Sequence, residues 1–292
     1  MFPVAFDYVP ARSLDEALAA LAERGGDARV LAGGQSLIPA MKYRLMRPAV
    51  LVDINRIEEL SYITASDGEL RVGALTRDFA LETAAPVRSG YALLSDVCDV
   101  VADPVVRQLG TVVGSLCQND PSGDWPVAAL AARASVVVRG KGGVRTVPID
   151  EFLVDSFTTA VEDGELALEV RFPTPGPRTS GAFIKMERKV GDFATCSAGV
   201  SLTLGPDGTI VTAGVALGAS GPIALRVAGA ERLLCGSKPT PELVRAAADE
   251  ARKAADPASD TRGTAEYKKE LAGVLAARAL SVALGRLGVE GL

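Results

Sequence analysis

The sequence feature that most constrains the fold is a pair of adjacent glycines between an apolar strand and a helical segment. It lies in the stretch VLAGGQSLIPAMKYRL at residues 30–45. Such a pair either permits a tight reversal or lets another group approach the main chain closely. A strand is predicted at 28–32, a helix near 37–45, and a second strand, AVLVDI, at 49–54. This strand–helix–strand order predicts a small α/β subdomain.

The rest of the chain alternates strand and helix signals. Ser13 and Glu16 have the spacing of a capping box and predict a helix start. Residues 58–177 mix both signals and end in a proline-rich stretch that predicts a boundary. Beyond it, two strands flank the turn GPDG at 205–208 and predict an antiparallel hairpin. Two long helices are then predicted, one of them with apolar residues at helical spacing: Leu271, Leu275, Ala279 and Val282.

Composition excludes several classes of function. The net charge is −5, with no arginine-rich run, so no nucleic-acid partner is predicted. No stretch reaches 18 uninterrupted apolar residues and the first residues lack a signal-peptide pattern, so we predict no membrane span and a cytoplasmic protein.

The side chains that usually carry chemistry are scarce. The four cysteines show no C-x-x-C spacing, which argues against a zinc ribbon or a local iron–sulfur site, and there is no histidine. Histidine-dependent nucleophilic catalysis and histidine-ligated metals are therefore excluded. Difficult chemistry on this chain would need an organic cofactor.

The first glycine turn, Ala32 to Ser36, is neither a Rossmann fingerprint nor a Walker loop. Its glycines can still direct N–H groups at a phosphate beside a helix start. A plain turn is the alternative interpretation. Ser36 either caps the following helix or donates to a phosphate oxygen.

A second small-residue stretch, LGTVVGSL at 109–116, is followed by CQNDPSGD at 117–124. Asp120 and Asp124 fit helix caps, with Asp124 capping VAALAARA. The functional alternative is that one of these carboxylates accepts a hydrogen bond from a sugar hydroxyl.

Four blocks of the sequence resemble one known family. AGGQSLIPAMKYRLMRPAVLVDINRI and VADPVVRQLGTVVGSLCQNDPSGDWP resemble the FAD-binding medium subunit of the molybdenum hydroxylases. FIKMERKVGDFATCSAGVSL and DPASDTRGTAEYKKELAGVLAARAL resemble later parts of the same subunit. The resemblance covers residues 3–287. The family includes the flavoprotein subunits of carbon monoxide dehydrogenase and xanthine dehydrogenase.

The resemblance implies an α/β (α+β) fold of the vanillyl-alcohol-oxidase type. Two α/β subdomains, at 1–57 and 58–177, would bind FAD. A C-terminal α/β domain with antiparallel sheet and helices would occupy 178–292.

The same resemblance implies the cofactor-binding residues. The backbones of the two small-residue turns would approach the FAD pyrophosphate, and Asp124 would hydrogen-bond the ribityl or adenosine region. Lys185 would lie near the flavin, Phe193 against its ring, and Leu166 near the cofactor. The full predicted set is Leu31, Ala32, Gly33, Gly34, Gln35, Ser36, Leu37, Val101, Thr111, Val112, Val113, Gly114, Ser115, Gln118, Asp120, Asp124, Leu166, Lys185, Asp192 and Phe193.

Plainer interpretations of the later residues are open. Lys185 fits a solvated strand residue, and Phe193 fits the core. The basic cluster of Lys185, Arg188 and Lys189 fits a charged surface. The sequence also departs from many relatives, since Gln35 and Gln118 stand where those have histidine. Glutamine hydrogen-bonds but does not titrate near neutral pH.

The function implied by the resemblance is electron relay in an oxidoreductase complex, with no catalytic residue on this chain. A small partner subunit would carry two [2Fe–2S] clusters and a large one the molybdenum cofactor, as a dimer of heterotrimers. NAD⁺, a quinone, oxygen or another acceptor would take the electrons. Two alternatives are a self-sufficient flavoenzyme like the enolpyruvyl-UDP-sugar reductase and an assembly protein that lost its cofactor.

Overall fold

A computed structural model describes residues 2–292. In this part of the chain, helices and strands are mixed and the strands form four sheets. The predicted mixed α/β class is confirmed.

The N-terminal sheet is parallel, and the predicted strand–helix–strand unit is part of it. Its strand order is β1-β3-β2. Its elements are β1 (Asp7–Pro10), α1 (Leu14–Arg24), β2 (Ala28–Leu31), α2 (Leu37–Lys42) and β3 (Val50–Asp53), with a short 3-10 helix at Gly25–Asp27. Helix α2 is shorter than predicted, because the chain turns at Arg44, whose φ is 61°.

The capping box at the start of α1 is only half formed. The Ser13 hydroxyl accepts from the Glu16 N–H at 3.2 Å, as predicted. The Glu16 carboxylate, however, accepts from the Arg12 N–H rather than from that of Ser13. The N–H groups of Arg12 and Glu16 at the helix start therefore both have a side-chain acceptor.

The middle part of the chain forms an antiparallel sheet of order β4-β5-β10-β6-β7 and a two-stranded one, β8-β9. The strands are β4 (Ile63–Ser66), β5 (Glu69–Gly73), β6 (Ser135–Gly140), β7 (Gly143–Pro148), β8 (Leu153–Asp155), β9 (Thr158–Thr159) and β10 (Leu166–Pro173). The helices are α3 (Asp78–Thr83), α4 (Ala85–Gly90), α5 (Ala92–Val100), α6 (Pro104–Arg107), α7 (Val112–Gln118), α8 (Asp124–Ala131) and α9 (Ile149–Phe152), with a 3-10 helix at Glu58–Leu60.

The C-terminal part is an antiparallel sheet covered by helices, and it contains the predicted hairpin as β12-β13. Its elements are β11 (Thr179–Met186), β12 (Cys196–Leu204), β13 (Ile210–Gly218), β14 (Leu225–Arg226), α10 (Ala228–Leu234), α11 (Pro241–Ala254) and α12 (Ala265–Arg286). On α12, Leu275 and Ala279 are buried as their spacing predicts, whereas Val282 is exposed. No helix within residues 2–292 has the length and apolar character needed to cross a bilayer.

Helix α8 joins the middle and C-terminal parts. All eight of its residues are buried, as expected for a helix with apolar neighbours on every side. One face packs on β12 and β13, and α5 and α7 pack on it elsewhere. A Cβ added at Gly214 of β13 would lie 2.0 Å from the Ala131 carbonyl oxygen. Position 214 therefore needs glycine, because any side chain there would collide with the end of α8.

We predict that Gly214→Ala lowers the free energy of unfolding by about 1–3 kcal/mol, the usual cost of overpacking. Urea unfolding followed by far-ultraviolet circular dichroism measures it. Gly142→Ala is the matched control, because a Cβ at Gly142 meets open space. Equal stability of the two variants would contradict this packing.

Candidate functional site

The first glycine turn follows β2 and leads into α2. Gly34 has a φ of 72°, in the left-handed region that favours glycine. The reversal explains Gly34 but not Gly33, which has no such φ.

Gly33 is explained by the second small-residue stretch. A Cβ at Gly33 would lie 2.2 Å from the Leu109 carbonyl oxygen and 3.1 Å from the Gly110 Cα. The two stretches predicted to approach one cofactor are therefore in direct backbone contact. The first stretch follows β2 in the N-terminal part, and the second precedes α7 in the middle part.

Free backbone donors flank this contact. Among the hydrogen bonds of residues 2–292, none uses the N–H groups of Gly33, Gly34, Gln35, Ser36 or Leu37 as donors. The N–H group of Val113 likewise has no acceptor in that part of the chain. Backbone N–H groups without protein partners are able to donate to anionic oxygen atoms.

The hydroxyl groups of the two turns have different roles. Thr111 caps α7, because its Oγ1 accepts from the Gly114 N–H at 3.1 Å. Ser36 precedes α2, but its side chain makes no capping hydrogen bond, so the capping interpretation of Ser36 is wrong. Its hydroxyl is exposed beside the free N–H groups.

A second group of predicted residues meets at the start of α8. Lys185 Nζ lies 2.9 Å from Asp124 Oδ2 and also donates to the Val100 carbonyl oxygen at 3.1 Å. Glu187 Oε2 is 3.3 Å from the same nitrogen. The Lys185 side chain is only 2% exposed, so its interpretation as a solvated strand residue is wrong. Asp124 is 6% exposed, and its Oδ1 has no partner among residues 2–292.

The capping interpretation of Asp124 is wrong. The N-cap of α8 is Gly123, and Asp124 is the first helical residue. Burial raises the pKa of Asp124 to about 6, although the Lys185 ammonium opposes this shift. The carboxylate is therefore used for a buried ion pair and not for a helix end.

Asp78 is a buried carboxyl between the two groups. Burial raises its pKa to about 7, while the Trp125 Nε1 donor at 3.0 Å and Arg107 oppose the shift and Asp124 adds to it. Its N–H donates to the Gly110 carbonyl oxygen. Asp78 thus links the second turn to the start of α8.

The remaining residues near α7 and α5 have supporting positions. Asp120 is no helix cap, since its Oδ1 accepts from the Ser122 N–H at 2.9 Å within a turn. Burial raises the pKa of Asp120. Gln118 ends α7, half-buried. Val101, which follows the Lys185 acceptor, is buried.

The loop after β11 presents Phe193 at the surface. Its side chain is 50% exposed, so its interpretation as core is wrong. Asp192 Oδ1 accepts from the Phe193 N–H at 2.8 Å and from Arg262 at 2.7 Å. Arg188 and Lys189 are exposed, so the surface interpretation holds for these two but not for Lys185.

Leu166 does not join either group through a hydrogen bond or ion pair. It is 4% exposed and belongs to the apolar core that also holds Val112 and Val113. Its contact with a cofactor stays a prediction.

Two polar residues at the contact of the turns were missed by sequence reasoning. Asn55 Nδ2 donates to the Ala32 carbonyl oxygen at 2.9 Å, and Arg77 donates to that of Leu109 at 2.7 Å. A signal existed for Asn55, which follows the carboxyl end of β3 next to that of β2, where ligands of parallel sheets bind. None existed for Arg77.

Comparison with known proteins decides the family. The model of the FAD binding domain in molybdopterin dehydrogenase matches residues 4–175, and that of the CO dehydrogenase flavoprotein C-terminal domain matches residues 181–283. The chain belongs to this flavoprotein family. The predicted family, fold and class of oxidoreductase subunit are confirmed.

Relatives cover nearly the whole chain. The carbon monoxide dehydrogenase medium chain of Hydrogenophaga pseudoflava is 39% identical over 287 residues, which are 98% of this chain and 99% of that one. The 6-hydroxypseudooxynicotine dehydrogenase complex subunit alpha of Paenarthrobacter nicotinovorans is 36% identical, with coverages of 98% and 97%. A solved carbon monoxide dehydrogenase from H. pseudoflava that lacks the Mo-pyranopterin moiety matches with a TM-score of 0.95 and 40% identity, over 98% of this chain and 99% of that one.

The raised pKa of Asp78 predicts a pH dependence of stability. The folded carboxyl (pKa about 7) binds its proton more tightly than the unfolded one (ordinary value 3.8). Stability from this group is therefore present at low pH and declines as pH rises from about 4 to about 7, by at most about 1.4 kcal/mol per pH unit. Asp78→Asn should abolish the decline between about pH 6 and 7, while Asp124 contributes below that.

Urea unfolding at several pH values measures this dependence. Asp99→Asn on α5 is the control, because its carboxylate is more than half exposed. An unchanged slope in Asp78→Asn would show that Asp78 does not carry the dependence.

Proposed function

We propose that this flavoprotein subunit binds FAD across its two glycine turns and relays electrons within a molybdenum hydroxylase complex. The observation that carries the proposal is the backbone contact of Gly33 with Leu109, flanked by N–H groups that have no acceptor in residues 2–292. Such donors suit the pyrophosphate of FAD. When bound, FAD supplies reversible acceptance and release of electrons.

The residues present fit this cofactor. A Cβ at position 33 would collide with Leu109, so the backbone there stays bare. The unpartnered Asp124 Oδ1 is a buried acceptor, and it suits a sugar or ribityl hydroxyl. We propose the predicted cofactor-binding residues as the site, with Phe193 and Lys185 on its flavin side.

The domain roles are part of the same proposal. Residues 1–57 and 58–177 form the two FAD-binding subdomains, and 178–292 form the C-terminal domain. The family matches at 4–175 and 181–283 support a division near 177. The Asp124–Lys185 pair then joins the cofactor site to the C-terminal domain.

The partners follow from the family. The relatives have names such as medium chain and complex subunit alpha, which support a chain that works within a complex. We propose a small subunit with [2Fe–2S] clusters as the electron donor and a large one with the molybdenum cofactor, assembled as a dimer of heterotrimers in the cytoplasm. NAD⁺, a quinone, oxygen or another small acceptor receives the electrons.

The substrate of the complex is set elsewhere. Relatives of 39% and 36% identity are named as dehydrogenases of carbon monoxide and of 6-hydroxypseudooxynicotine, two molecules of very different size and structure. We therefore assign the choice of substrate to the large partner and give this chain binding residues only.

Titration of FAD with the purified chain tests the proposal. FAD fluorescence should be quenched saturably, and FMN should bind more weakly because it lacks the adenylate and the second phosphate. Failure of the folded chain to bind FAD, or equal affinity for FMN, would contradict the site.

Gly33→Ala should weaken FAD binding at least about 10-fold, because the added Cβ must displace the Leu109 carbonyl and separate the two turns. The same titration measures the dissociation constant, with circular dichroism as a check of folding. Gly90→Ala, at a site with open space for a Cβ, is the control. Unaltered affinity of Gly33→Ala would place the cofactor away from this contact.

A further inference from the structure

We propose that Arg77 and Asn55 are positioning residues that hold the two glycine turns together, and that the charge of Arg77 strengthens the attraction of this site for a diphosphate. We call these two side chains and the carbonyl groups of Ala32 and Leu109 the turn clamp. The inference rests on the proposed function and adds to it a tie between the turns.

The clamp is a continuous chain of hydrogen bonds. Asn55 Nδ2 donates to the Ala32 carbonyl oxygen at 2.9 Å, and Asn55 Oδ1 accepts from Arg77 at 2.6 Å. A second nitrogen of Arg77 donates to the Leu109 carbonyl oxygen at 2.7 Å. Each turn thus offers a carbonyl group to one of two side chains that also bind each other.

Both ends of the clamp are anchored. Asp53 Oδ1 accepts from the N–H of Asn55 at 2.8 Å and from its Nδ2 at 2.6 Å. Asp53 Oδ2 in turn accepts from the Tyr8 hydroxyl. The Arg77 backbone pairs with Thr111 in an isolated bridge. Asn55 is therefore fixed to the N-terminal sheet and Arg77 to the second turn.

The clamp binds the turns at their point of closest contact. The Leu109 carbonyl that Arg77 binds is the group that a Cβ at Gly33 would strike. Arg77 thus orients the carbonyl at the point of contact, and the free N–H groups lie on both sides of it. Loss of the clamp would let the two sets of donors drift apart without unfolding either sheet.

The charge of Arg77 is not neutralised by an ion pair. Arg77 is half-buried, its guanidinium donates to a carbonyl and an amide oxygen, and no carboxylate among residues 2–292 lies within ion-pair distance. Burial lowers the pKa of Arg77, against the influence of Asp53 and Asp78, but an arginine stays protonated. An unpaired cation at the contact of the two turns favours a doubly charged diphosphate.

The test is FAD titration of the full chain with clamp variants. Arg77→Met should raise the FAD dissociation constant roughly 10- to 100-fold, and Asn55→Ala roughly 3- to 30-fold. Arg77→Lys should recover part of the lost affinity, because lysine restores the positive charge but not the planar guanidinium that donates to Asn55 and Leu109 from two nitrogens. Arg71→Met is the matched control, since Arg71 binds only carboxylates near the β4–β5 turn. It should change the affinity less than 2-fold.

Two further readouts separate clamping from general stability. The double variant Asn55→Ala/Arg77→Met should bind FAD about as weakly as Arg77→Met alone, because the two residues act as one unit. Arg77→Met should also reduce the salt dependence of FAD binding, while thermal unfolding without FAD stays close to that of the wild type.

The outcomes distinguish this inference from the proposed function. If wild-type chain fails to bind FAD, the proposed function fails. If wild-type chain binds FAD and both Arg77→Met and Asn55→Ala bind it equally well, the clamp alone is overturned. Additive losses in the double variant also overturn it. Should Arg77→Met fail to fold, Arg77→Lys and Asn55→Ala decide, with weaker binding than the Arg71→Met control as the supporting result.

Discussion

The close approach of Gly33 to the Leu109 carbonyl group is the constraint on which the site depends. It joins the parallel N-terminal sheet to the helices of the middle part at a point that admits no side chain. This contact brings together the two turns that carry free N–H groups. A site made of backbone donors needs such a junction, since neither turn alone has the signature of a nucleotide-binding loop.

Helix α8 extends this junction to the C-terminal sheet. Asp78 binds the Gly110 backbone and accepts from Trp125, and the neighbouring Asp124 binds Lys185 of β11. Burying the carboxyl groups of Asp78 and Asp124 costs desolvation energy, which hydrogen-bond or ion-pair partners offset. Trp125 and Lys185 supply these partners, and Asp124 Oδ1 is left without a partner among residues 2–292.

Local sequence signals predicted the elements and the two turns, but not the side chains that join them. The glycine pair, the GPDG hairpin and the terminal helices depend on neighbours in sequence, and the structure contains them. Asp124 has the pattern of a cap, yet Lys185, 61 residues away, takes its carboxylate. Phe193 has the pattern of core but is exposed, and Arg77 is set by contacts with distant residues. Contacts with residues distant in sequence decided each of these cases.

Hydrogen exchange of backbone amides with and without FAD, followed by mass spectrometry, tests the central claim most directly. If the two turns bind the diphosphate together, FAD will slow exchange in peptides covering 33–37 and in those covering 111–115 to a similar extent. The β6–β7 turn at 140–143 should exchange at an unchanged rate. Saturable binding of FAD without slower exchange in one of the two turns would contradict a site built from both.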